Sequence, residues 1–145
     1  MVVGWREWLG LPGLGVPAIR AKVDTGARSS ALHVDALETF FRGGREWVRF
    51  GLHPGGPDDP PVQGCEAEVV DRRRVTDSGG HSTERIFIRT ALALAGQVFP
   101  VEVNLSDRRN MLFPMLLGRT AMAGRVMVDP ERSFVLGGPP GWQAP

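Results

Sequence analysis

Apolar residues in this chain fall mostly in short runs with β-branched or aromatic members, broken every eight to fifteen residues by Gly, Pro, Asp and Asn. That pattern predicts short antiparallel strands. Trp5 to Leu11 and Val16 to Val23 read as two strands joined by Pro12-Gly13-Leu14-Gly15. In the second, Ile19, Ala21 and Val23 alternate with Arg20, Lys22 and Asp24, so one face enters a core and the other meets water. A strand would also set Trp5 and Trp8 on opposite faces, one in the core and one at an interface between subunits.

Leu37 to Arg42 and Arg45 to Leu52 flank Gly43-Gly44, a pair able to take the positive φ angles of a tight hairpin; a short helix over Val34 to Phe41 is the rival reading. His53 to Pro61, full of Pro, Gly and Asp, is expected to be a surface loop. Cys65 to Val75 and Glu84 to Ala93 form two arms around the polar tip Thr76 to Thr83. Val98 to Leu105, Met111 to Leu117, Val126 to Val128 and Phe134 to Leu136 supply further strands, and Gly118 to Met122 a short helix. The expectation is an all-β chain with one domain over residues 1–137 and a flexible tail over 138–145.

Composition narrows the chemistry. A chain of 145 residues can bury a core without metal or disulfide staples, and the single cysteine, Cys65, reads as an inert filler. No signal-like start or membrane-length apolar run is visible, so a soluble cytoplasmic protein is expected. A net charge of +1 argues against a general nucleic-acid or membrane surface. Sixteen of the seventeen basic residues are arginine, whose fork binds carboxylates in bidentate fashion; genome composition explains that excess equally well.

The informative run is Ala21-Lys22-Val23-Asp24-Thr25-Gly26-Ala27, an apolar strand ending in an acid, a small hydroxyl residue and glycine. By itself it is equally a turn-forming acid bonded to neighbouring amides. Its weight rises with Met115-Leu116-Leu117-Gly118-Arg119-Thr120-Ala121-Met122, an apolar strand running into glycine and a short helix. In that order the two elements resemble the halves of a retropepsin subunit. The closer resemblance is to the bacterial retropepsin-like aspartic peptidase family commonly labelled "ATP-dependent zinc protease" (RimB-like). That family carries Gly-Trp-Arg-Glu-Trp, Lys-Val-Asp-Thr-Gly-Ala-Arg with Ser-Ala-Leu-His, and Leu-Leu-Gly-Arg-Thr, here at Gly4 to Trp8, Lys22 to His33 and Leu116 to Thr120.

The resemblance implies a closed β-barrel subunit with one short helix near its C-terminal end. It implies catalytic roles for Asp24, Thr25 and Gly26, with a second identical chain supplying the partner carboxylate, because the sequence holds only one Asp-Thr-Gly. Thr25 would bond across the dimer axis, Gly26 would donate its amide to Asp24, and Thr76 to Thr83 would take the place of the flap. Substrate contacts would come from Ala27, Arg28, Ser30, Arg72, Arg74, Gly79, Gly80, Arg85 and Arg119. Arg28-Ser29-Ser30 stands where viral enzymes carry acids, which points to a different, anionic substrate. The family's association with a ligase that adds glutamate residues to a protein tail points to an acidic peptide. No cofactor or metal is expected, since no His-Glu-x-x-His set is present.

Three function classes stay open on the residues alone: a homodimeric aspartic peptidase, a binding module of the same fold, and a zinc hydrolase gathering Asp24, His33 or His81. His33 otherwise reads as a hydrogen-bonded structural histidine. Asn104, Asp107, Arg108 and Arg109 form a polar turn that is either an ordinary loop or part of a substrate wall.

Overall fold

A computed structural model describes residues 1–76, 79–107 and 112–145. Its strands are β1 (Val2–Val3), β2 (Arg6–Leu11), β3 (Val16–Asp24), β4 (Ser30–Arg42), β5 (Arg45–Leu52), β6 (Val62–Thr76), β7 (Ser82–Leu94), β8 (Gln97–Asp107), β9 (Met115–Gly118) and β10 (Met127–Val128). One helical turn, α1 (Arg119–Met122), follows β9, and a 3-10 turn at Pro12–Leu14 joins β2 to β3. The all-β class expected from the pattern is what the chain adopts, and no helix among the described residues is long and apolar enough to cross a membrane.

Eight strands form one sheet in the order β2-β3-β9-β4-β5-β6-β7-β8, with further pairings of β2 to β7 and of β4 to β8. The sheet folds over a core that includes Ile19, Leu32, Phe50, Ile88, Leu92, Met115 and Leu117, all essentially removed from water. Each such side chain contributes about 1.5–3 kcal/mol of burial free energy. Ile19, Ala21 and Val23 face inward along β3 as their alternation predicts.

β4 explains how one strand serves two surfaces. Its first half pairs parallel to β8 (Ser30↔Val103) and antiparallel to β9 (Ala31↔Leu116). A register shift between Asp35 and Glu38, with Ala36 at φ 51°, then bends it toward β5. The strand, not the rival helix, is therefore the outcome over 34–41, and Gly43-Gly44 turn the hairpin at φ 60° and 77°. The bend and the loop behind it are joined by Asp35 Oδ2 and His53 Nε2 at 3.0 Å.

Two expectations need correction. Phe134 to Leu136 is not a strand; it is an irregular segment beside β2 whose Phe134 amide donates to the Arg6 carbonyl and whose Val135 and Leu136 amides are satisfied by a side chain. Neither Trp5 nor Trp8 enters the core: the inward positions of β2 belong to Glu7, Leu9 and Leu11, with Glu7 fully buried, while Trp8 stacks edge-on against Trp142 at 6.1 Å. Trp142, in the segment read as a tail, also meets Phe134 at 4.8 Å. Cys65 is buried, and that burial pushes its thiol pKa up, as suits a packing residue.

Glu7 holds the two ends of the chain together. Its Oε2 accepts from the amides of Gly4 (2.6 Å) and Val135 (3.0 Å), and its Oε1 from Leu136 (3.0 Å). Glutamine at this position would keep one acceptor but turn an N–H toward another N–H, and a buried donor left unmade costs about 1–3 kcal/mol. Glu7→Gln is therefore expected to lower unfolding free energy by about 3 kcal/mol in urea titration at unchanged m value, with a change under about 0.5 kcal/mol contradicting the account.

Candidate active site

The end of β3 carries Asp24 into a turn that its own side chain helps to close. The amide of Gly26 donates to Asp24 Oδ1 at 2.9 Å, and that of Ala27 to the Asp24 carbonyl at 3.2 Å. An aspartate that accepts from an amide two residues on is a common turn former. Asp24 is half-buried whereas Thr25 and Gly26 are exposed, so the carboxylate lies at the end of β3 with the turn's tip outward.

β9 fixes the height of this turn. It threads parallel to β3, pairing Val23 with Leu117 and Asp24 with Gly118, and on its other side it pairs with β4. The amide of Gly118 donates to the buried hydroxyl of Ser30 at 3.0 Å. A methyl group on Gly118 would stand 2.5 Å from the Ser29 carbonyl carbon and 2.9 Å from the Ser30 nitrogen, so only glycine lets the two backbones pass.

The carbonyls of the turn are claimed by the start of α1. Arg119 donates its amide to Ala27 (2.8 Å) and Nη1 to the Gly26 carbonyl (3.2 Å), and the Thr120 hydroxyl donates to the Arg28 carbonyl at 2.8 Å. Arg119, read from sequence as a substrate contact, is thus engaged as a brace of the turn. Ser30 and Ala27 are likewise engaged in the turn's frame, and Arg28 projects into solvent beside it.

The long β6–β7 hairpin registers Arg73 against Arg85 and Thr76 against Ser82. Gly79 and Gly80 are exposed at its described tip; Asp77 and Ser78 of the expected flap, with Arg108, Arg109 and Met111 elsewhere, lie outside the described residues. Arg72 bonds Glu46 at 2.7 Å, and Arg74 is exposed on the same arm. Arg85 donates to Asn104 Oδ1 at 3.0 Å, and Asn104 Nδ2 donates to the Ser30 carbonyl at 3.0 Å. Asn104 is buried, so the polar turn suggested by sequence resolves here into a link from the hairpin through Ser30 to Gly118.

His33 lies along β4, where its amide donates to the Pro114 carbonyl at 2.8 Å, and His81 is at the exposed hairpin tip. Among the described residues no three His, Cys, Asp or Glu side chains are gathered as a metal-ligand set.

Beside this acid-bearing turn, glycine-ended strand and long hairpin stands a family match: the model of the RimB-like family, described as retropepsin-like aspartic endopeptidase, matches residues 2–138. The chain belongs to the RimB-like family. Relatives named "Probable alpha-L-glutamate ligase" from Shewanella pealeana and Desulfotalea psychrophila are each 44% identical over 136 residues. Those matches cover 94% of this chain but 30% and 29% of the relatives' lengths. A Legionella pneumophila protein of unknown function, Lpg0085, known from a crystal structure, superposes at a TM-score of 0.75 with 27% identity, covering 92% of this chain and 96% of its own.

The link through Asn104 is testable by charge. Asn104→Asp would offer Arg85 a stronger partner but set a carboxylate oxygen against the Ser30 carbonyl. We expect a net loss of about 1–3 kcal/mol in unfolding free energy despite the added ion pair; a gain in stability would show that the bond to Ser30 contributes little.

Proposed function

We propose that this chain is one half of a homodimeric aspartic peptidase, in which the Asp24 carboxylates of two copies face each other across a two-fold axis and activate a water between them. The observation that carries this reading is the geometry of Asp24: held at the end of β3 by the Gly118 register and the Gly26 amide, beside an exposed turn, in a sequence with a single Asp-Thr-Gly.

Two carboxylates at close range cannot both ionise cheaply, so they share one proton. The ionised Asp24 takes a proton from the water as its oxygen attacks the amide carbonyl carbon, while the protonated Asp24 donates a hydrogen bond to the carbonyl oxygen. Collapse of the tetrahedral intermediate with proton transfer to the leaving nitrogen releases acid and amine, and the shared proton is restored. Gly26 contributes its amide to the ionised carboxylate, Thr25 ties the two turns together beneath the dyad, and the β6–β7 hairpin covers the bound chain.

An acidic peptide suits the surroundings: Arg28 is exposed beside the turn, and relatives that contain a domain like this one are named for glutamate ligation. Hydrolysis of glutamate-rich tails is the reaction we assign. Under the same reading Arg28 and Arg74 are carboxylate contacts, while Arg72, Arg85 and Arg119 act through the protein groups they hold.

Asp24→Asn is expected to lower hydrolysis of an acidic peptide by at least about a thousandfold while leaving peptide affinity within about twofold. Wild type binding without cleaving any acidic peptide would favour a binding module instead. Mixing wild type with Asp24→Asn under conditions of subunit exchange should make activity fall as the square of the wild-type fraction; a linear fall would mean each chain works alone.

A further inference from the structure

Beside the Asp24 turn, on the side of α1, the sheet opens into a cleft of 460 Å³ whose walls include Arg28, Arg73, Arg89, Phe99, Glu102 and Arg125. Four guanidinium groups face one carboxylate. On the β4–β5–β6 face of the sheet the arginines are neutralised: Arg42 and Arg49 by Glu66, Arg49 also by Glu38, Arg45 by Glu68 and Arg72 by Glu46. In the cleft two of the four are not. Neither Arg28 nor Arg125 has a carboxylate partner among the described residues, and the Arg125 guanidinium carbon sits over the Phe99 ring at 3.7 Å from its centroid, a cation–π contact that helps to position its fork.

Glu102 is the cleft's own anion. Its Oε1 accepts from Arg73 Nη2 at 2.7 Å, while its Oε2 stands 3.6 Å from Arg89 Nη2, too far for a good hydrogen bond. Arg73 is also fixed by Asp71 Oδ2 at 2.6 Å, so it is the satisfied member and Arg89 the weakly held one.

We propose that this cleft is an anion subsite for the carboxylate side chains of an extended acidic peptide, and that Glu102 is a resident carboxylate with which the bound peptide competes for Arg89. Arg28 belongs to the same loop as Asp24, so a chain lying in the cleft continues toward the Asp24 carboxylate. A bound carboxylate takes the unpaired forks of Arg28 and Arg125 and draws Arg89 from Glu102, which keeps its bond to Arg73. That the anion is a peptide rests on the peptidase reading; the anion-binding role of the cleft does not.

The test separates the two. Binding of an oligoglutamate peptide to the full chain carrying Asp24→Asn is measured by isothermal titration, with an oligoglutamine peptide as control and hydrolysis by wild type followed separately. Adding Arg125→Glu or Arg89→Glu should each weaken binding at least about tenfold, and adding Glu102→Gln should tighten it about threefold or more. A merely structural role for Glu102 would not tighten binding. Equal affinities in all variants, or undetectable binding of oligoglutamate, would overturn the subsite. An oligouridylate of matched length that binds as tightly with the same sensitivities would overturn its assignment to peptide. Binding with the expected sensitivities but no cleavage by wild type would uphold the subsite and sink the peptidase.

Discussion

The close passage of Gly118 over the Ser29–Ser30 backbone sets the geometry on which the rest depends. β9 lies between β3 and β4 only because that glycine offers no side chain, and its amide then meets the Ser30 hydroxyl. From this crossing the parallel register fixes Asp24 opposite Gly118, and the next residues, Arg119 and Thr120, reach back to the Gly26, Ala27 and Arg28 carbonyls. The Asp24 turn is held from below by a strand and from the side by a helix start. A loop built this way keeps a carboxylate in one orientation without burying it, which is what preorganisation of a charged group requires.

Polar groups inside the sheet extend that frame in two directions. Asn104 ties Ser30 to Arg85, so a run of hydrogen bonds joins the arm of the long hairpin to the residue that anchors Gly118. Glu7 does the corresponding work at the opposite edge, binding the start of the chain to the segment around Val135. Both are buried polar side chains whose hydrogen bonds leave few alternative packings, since an unmade bond in either would cost more than the bond contributes.

Much of this was legible in the residues. The alternation of Ile19, Ala21 and Val23 with Arg20, Lys22 and Asp24 gave β3 its faces, and Gly43-Gly44 marked the hairpin, because both depend on local chemistry. What escaped was non-local. Ser30 to Val34 was not read as strand because its partners, β8 and β9, come from far along the chain. Phe134 to Leu136 looked like a strand because it is apolar, yet the Val135 and Leu136 amides go to Glu7, which pattern alone would have sent to the surface. Arg89, Glu102 and Arg125 carried no motif; only folding brings them to one cleft with Arg28.

The central claim is that two copies of one chain bring two Asp24 carboxylates together. The measurement that tests it most directly is their separation in a crystal structure of the dimer at the pH of activity. Carboxylate oxygens from the two protomers within about 2.6–3.2 Å of each other are the predicted result. Asp24 side chains pointing into separate clefts of the assembly, out of reach of a shared water, would contradict it.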